Sequence, residues 1–145
     1  MKYVSVVALA GMRLLAALTL FISVSLILAI PATASVEIEP NNSAAIANAI
    51  VPGEGMSGQV ASESDQDWFG FSVTGPQTVT IHFDSPEDSA HSGYHTIQVR
   101  DGSGTIFAGV DVGQDTEFQT GLPSAGTYFI VVRDGPDPFD VVTQQ

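Results

Sequence analysis

The chain predicts an all-β fold, an antiparallel jelly-roll-like β-sandwich behind an N-terminal signal peptide. Three observations predict it. Past residue 65 the apolar residues recur with period two over short runs. Turn residues punctuate those runs at short intervals, and little of the chain has helical spacing. Strands that are apolar on one face must bury that face against a second sheet, which is the sandwich solution.

The first element stands outside that pattern. Lys2 and Arg13 precede an uncharged apolar run from Leu14 to Ile30, which Pro31 breaks and Ala32-Thr33-Ala34 follows. A basic start, an apolar centre and small residues at the end are the features of a secretory leader, here cleaved after Ala34. The run is 17 residues long. That is the short limit for a membrane span, so an uncleaved anchor at residues 14–30 is the alternative. The chain then divides into a signal peptide at 1–34, an N-terminal arm at 35–52 and a sandwich domain at 53–145. The expected location is outside the cytoplasm, extracellular or periplasmic, with membrane contact only if the leader is retained.

Within the arm, Ser43 to Ile50 has the composition of a short helix, with Asn42 or Ser43 as its cap and Pro52-Gly53 as its stop. Phe69, Phe71 and Val73 alternate with small residues, and Gly75-Pro76 turns the chain. Val79, Ile81 and Phe83 then alternate with Thr80 and His82, and 84–93 reads as a polar loop. Ile97 and Val99 form a third strand. Asp101-Gly102-Ser103-Gly104 is a hairpin signal leading into a partner strand at Ile106–Val110. Gly121 to Gly126 reads as a loop. Thr127 to Val132 is apolar on both faces, the mark of a central strand whose second face a loop or a partner covers. Asp134 to Pro138 is a turn, and Phe139–Thr143 is a last short strand or a tail.

Charge and cysteine usage narrow the chemistry. Without the leader only Arg100 and Arg133 stand against sixteen carboxylates, a net charge of −14 with no lysine. Such a surface repels nucleic acid and anionic lipid and suits bound cations. Cysteine is absent. That excludes thiolate zinc sites, iron–sulfur clusters, a cysteine nucleophile and the disulfides that usually staple small exported domains. A metal ion can take the staple's place, because a ligand of the folded form adds its binding energy to stability.

Two acidic clusters supply hard oxygen donors. The first is Glu37-Ile-Glu39-Pro-Asn41-Asn42, and the second is Ser62-Glu63-Ser64-Asp65-Gln66-Asp67, directly before Trp68. Calcium takes six to eight oxygens, which the two clusters supply only together. In an extended arm Glu37 and Glu39 fall on one side, and Pro40 favours extension at Glu39.

Read in order, Glu39-Pro-Asn41-Asn42, Gly58, Asp65-x-Asp67-Trp68-Phe69-x-Phe71, Asp101-Gly102-x-Gly104 and Ala125-Gly126-Thr127-Tyr128 resemble the bacterial pre-peptidase C-terminal domain. The chain is similar in the same way to the collagen-binding domains of clostridial collagenases. The resemblance covers nearly all of Glu37 to Arg133. It implies a jelly-roll-like sandwich with Ca2+ held between the arm and the loop before the Asp-x-Asp strand. It assigns Glu37, Glu39, Asn41 and Asn42 as arm ligands, Asp67 as a ligand of the second segment and Asp65 as a contributor. One position where collagenase domains carry a further acid is Ser64 or Asn42 here, which leaves one ion or two.

Catalysis is not expected. His91 and His95 have a zinc spacing only on a helix, which Ser92-Gly93 opposes. No Gly-x-Ser-x-Gly elbow appears, and no aromatic-lined groove accompanies the paired carboxylates. Of the aromatics, Tyr128 is in phase with the core, while Trp68 and Tyr94 are out of phase with it. The expected function is a secreted, non-catalytic, calcium-binding accessory module. Its partner would be a separate secreted peptidase or another extracellular protein or polysaccharide. The alternative is a cell-surface or matrix protein that self-associates in calcium.

Overall fold

The computed structural model of the chain describes residues 4–10, 34–85 and 94–135. These residues form ten strands in two five-stranded sheets. The strands are β1 (Val4–Ala10), β2 (Ser35–Val36), β3 (Asn48–Ala49), β4 (Gly55–Gly58), β5 (Gln66–Val73), β6 (Gln77–Asp84), β7 (His95–Asp101), β8 (Ile106–Val112), β9 (Thr116–Leu122) and β10 (Gly126–Asp134). The first sheet runs β2-β4-β1-β6-β9 and the second β3-β5-β10-β7-β8. Pairing is antiparallel except where the two short arm strands join, β2 beside β4 and β3 beside β5.

Period-two alternation produces the core as expected. Met56, Val79, Ile81, Phe83 and Leu122 from the first sheet meet Phe69, Phe71, Val73, Ile97, Val99, Tyr128, Ile130 and Val132 from the second. The central strand of the second sheet is β10, flanked by β5 and β7, and its Ile130, Val131 and Val132 are fully buried. On its second face Phe129 and Val131 are buried as well. Trp68 meets Phe129 edge-on at 5.6 Å, and the Arg100 guanidinium lies 5.1 Å over the Trp68 ring. Gly70 leaves room for Phe129, whose ring would be 3.4 Å from a Cβ placed there.

The hairpin at Asp101–Gly104 is present and joins β7 to β8. Asp101 Oδ1 accepts from Ser103 N, Ser103 Oγ and Thr105 N, and Gly104 adopts φ +92°, a conformation that glycine enters without strain.

Two sequence expectations are corrected, and one strand was not anticipated. The helix over Ser43–Ile50 is a single 3₁₀ turn, Ala44–Ile46, with no side-chain cap. Ile46 is half exposed, so no apolar stripe holds a longer helix down. The chain turns instead into β3, where Ile50 N donates to Gly70 O at 2.9 Å and Ile50 is buried. Secondly, Thr116–Leu122 is a strand, paired along its length with β6. The supposed loop at Gly121 therefore begins inside β9, with Leu122 in the core. Val4–Ala10, within the stretch read as a leader, forms β1 between β4 and β6. The apolar run 14–30, most of the polar loop after Asp84 and the segment Phe139–Thr143 lie outside the described residues. No described helix is long and apolar enough to cross a membrane.

Candidate metal centre

The arm reaches the sandwich as a pair of strand edges. Glu37 N donates to Ser57 O at 2.9 Å, prolonging the β2–β4 pairing by one residue. Asn48 clamps the next peptide: Ile38 N donates to its Oδ1 at 2.9 Å, and its Nδ2 donates to Ile38 O at 3.0 Å. Further on, Trp68 N donates to Asn41 O at 3.2 Å, which joins the arm to β5. Between these ties the segment 37–41, whose Glu39–Pro40 peptide is cis, crosses from the first sheet to the second.

That crossing brings three carboxylates together. One oxygen each of Glu37, Glu39 and Asp67 lies within 4.8 Å of the others. Asp67 comes from β5, on the same inward face as Phe69 and Phe71, and is fully buried with neither oxygen hydrogen-bonded. Glu37 is held from two sides: its Oε1 accepts from Gln59 N, and its Oε2 accepts from Asn41 Nδ2 at 3.2 Å. Glu39 Oε2 accepts from Asn41 N at 3.0 Å. Asn41 is itself fully buried, and its Oδ1 has no hydrogen-bond partner. The set therefore brings together one oxygen from each of three carboxylates, and both Asp67 oxygens and the Asn41 amide oxygen are buried without a hydrogen-bond partner.

Gly58 makes the approach of Glu37 possible. A Cβ there would fall on the Glu37 carboxylate. The sequence marks this glycine only through its place in the motif series, and its use is steric. Gln59 contributes a backbone N–H, which no side-chain pattern can signal.

Asp65 and Asn42 stand beside the cluster with other partners. Asp65 Oδ2 accepts from Ala61 N at 2.7 Å and its Oδ1 from Gln66 N at 3.1 Å, closing the turn before β5. Turned so that its nitrogen faces inward, the Asn42 amide donates to Gln66 O at 2.7 Å and to Asp65 Oδ1 at 2.8 Å. Of the six residues the sequence singles out, Glu37, Glu39, Asp67 and Asn41 converge, while Asp65 and Asn42 brace the turn that positions Asp67.

The electrostatics follow from this crowding. Burial first, then the charges of Glu37, Asp65 and Glu39, push the Asp67 carboxyl up to about 8. Glu37 is also raised, chiefly by burial and against the lowering effect of the Gln59 and Asn41 hydrogen bonds. At an effective dielectric of about 20, two unit charges about 5 Å apart repel by about 3 kcal/mol. An all-oxygen, multiply charged and partly desolvated set fits a hard divalent cation and no soft one.

His82, outward on β6, lies 3.1 Å from Glu117 on β9. His95 is buried against Phe83, with ring centroids 5.7 Å apart. Neither lies in a described cluster of metal-ligating side chains. No curated protein and no solved structure gives a significant match to the chain. Residues 65–134, from the turn before β5 to the end of β10, match the family model of the bacterial pre-peptidase C-terminal domain. By that match residues 65–134 are similar to the bacterial pre-peptidase C-terminal domain, and the sandwich architecture agrees with the match.

Proposed function

We propose that this protein is an exported, non-catalytic module whose sandwich is stapled by one calcium ion at Glu37, Glu39 and Asp67, with Asn41 as a neutral donor. The observation that carries the reading is Asp67, fully buried with two unpaired oxygens at the point where Glu37 and Glu39 arrive. A buried polar group without a partner is costly, and a charged one more so. A cation resolves that cost and the mutual repulsion together. Because Glu37 is tied to β4 and Asp67 belongs to β5, the ion would join the two sheets and fix the arm across them.

Export is supported by the leader pattern at 1–34 and by the family, whose domains are often parts of secreted proteins. A binding role in place of a catalytic one is supported by the same family, whose domains are generally accessory. The partner would then be a separate extracellular protein or polymer. A pull-down from the producer's secreted proteins, repeated in chelator, would identify it.

The test of the staple is a pair of melting curves on the full chain, in millimolar CaCl2 and in excess EDTA, each followed by limited proteolysis. Extracellular calcium modules bind with Kd values of about 10⁻⁴ to 10⁻³ M, so 1 mM calcium adds roughly 0.5–1.5 kcal/mol. For a domain of this size that is several degrees in Tm. Superimposed curves, with the arm equally resistant to protease in both, would overturn the proposal.

A further inference from the structure

The outer face of the second sheet departs from the charge of the rest of the molecule. The alternation that turns Phe69, Ile97 and Ile130 into the core turns Trp68 on β5, Gln98 and Arg100 on β7, and Arg133 on β10 outward. No outward position on these strands carries an acid, although the chain has sixteen. Apart from histidines, Arg100 and Arg133 are the only basic residues among the described ones, and neither is in an ion pair there. Beside them on β8, Asp111 stands opposite Thr96 and accepts from its Oγ1 at 2.7 Å.

Arg100 is held in place by its neighbours. Its guanidinium lies 5.1 Å over the Trp68 ring, and its Nη2 donates to Gln98 Oε1. Its Nε is buried without a hydrogen-bond partner. Arg133 is exposed. Burial, and then the Arg133 charge, lower the Arg100 guanidinium from its ordinary value. Two cations kept together without a counter-charge cost free energy, and a bound anion removes that cost.

Geometry narrows the anion. Arg133 stands opposite Thr96, and Arg100 lies four residues further along the Thr96 strand. That is roughly 13 Å in the strand direction. In an extended peptide, residues i and i+4 are the same distance apart and point to the same side. A carboxylate on each meets a planar guanidinium fork, which matches it with two parallel hydrogen bonds. A sugar ring would need an open aromatic face, and Trp68 is already taken by Arg100 and, at 5.6 Å, by Phe129. A second copy docked on this face by two-fold symmetry would set arginines against arginines.

We propose that the outer face of β5, β10 and β7 binds an extended acidic segment of a partner protein, with Arg100 and Arg133 each receiving one carboxylate. This rests on the reading of the chain as a binding module, whose partner it describes, and not on the calcium site.

The test titrates the isotope-labelled full chain, in millimolar CaCl2, with an alternating Glu–Thr peptide of about nine residues, long enough to span both arginines. A Gln–Thr peptide of equal length is the control, and amide resonances are the readout. The Glu–Thr peptide gives saturable shifts centred on 96–100 and 129–133, and the control gives none. Arg133→Gln weakens binding about tenfold to a hundredfold. Arg133→Lys weakens it less, because it keeps the charge and loses the fork. If Arg100→Gln does not fold once its contact with Trp68 is gone, the exposed Arg133 carries the test alone. No saturable shift, equal binding of the control, shifts centred on Glu37 and Glu39, or binding unchanged by Arg133→Gln overturns the proposal. Tighter, Arg133-dependent binding of oligogalacturonate also overturns it, in favour of an acidic polysaccharide. Self-association in sedimentation that Arg133→Gln abolishes overturns it in favour of a second copy. Capture of a secreted partner that Arg133→Gln leaves unchanged overturns this face while the binding-module reading stands.

Discussion

At the scale of single residues, Asp67 links protonation to folding. Its carboxyl titrates near 8 in the metal-free fold, against 3.8 as its ordinary value. Between those values the native state holds a proton that the unfolded chain has lost, so stability falls as pH rises through that window. Below it the penalty vanishes, and above it the penalty is complete. The metal-free Tm is therefore expected to fall from pH 5 to pH 8, and saturating calcium should flatten that slope. Asp101 acts in the opposite sense below the ordinary carboxylate range, because the Ser103 and Thr105 hydrogen bonds hold it low. Asp67→Asn should abolish calcium stabilisation yet raise metal-free stability at pH 8 by on the order of 1 kcal/mol, by relieving a buried charge. Gly58→Ala should weaken calcium binding at least about tenfold by displacing Glu37 while the domain stays folded, since its cost is local overpacking of about 1–3 kcal/mol. Melting curves and calcium titrations of the two variants check both. The converging carboxylates were legible because alternate acids in an extended arm and an Asp-x-Asp before a strand are side-chain patterns. The roles of Asp65, Asn42 and Gly58 were not, because they depend on backbone N–H positions and on space that only the folded turn defines.

At the scale of elements, the strands differ in how they are held. β10 is central and buried on both faces, so Ile130→Ala should cost about 2–5 kcal/mol, measured by urea unfolding. The β7–β8 hairpin lies away from the carboxylate cluster, and Gly104→Ala should cost about 1 kcal/mol with the proposed calcium affinity unchanged, because it strains a left-handed turn alone. Which strands the sequence announced follows from what faces inward. β5, β6, β7 and β10 put large apolar residues at every second position. β9 puts Thr116, Phe118, Thr120 and Leu122 there, and two threonines dilute the signal below recognition. β1 hides for the reverse reason: Val4–Ala10 is nearly uninterrupted in apolar character, and a leader and a buried strand share that property. The arm's helix failed because an alanine-rich run without an apolar stripe gains little from packing.

At the scale of the whole molecule, a cysteine-free sandwich with sixteen carboxylates and four basic residues has one described place where three acids meet out of water. Charge repulsion and an arm held by short edge strands both pull against the compact state, and the proposed divalent cation would oppose both. Calorimetric titration of CaCl2 into chelator-stripped protein at pH 7.5, with Asp67→Asn in parallel, tests this most directly. The account predicts saturable heat at about one ion per chain, release of protons on binding, and no heat from the variant. Absent heat from the parent protein, or equal heat from Asp67→Asn, would contradict it.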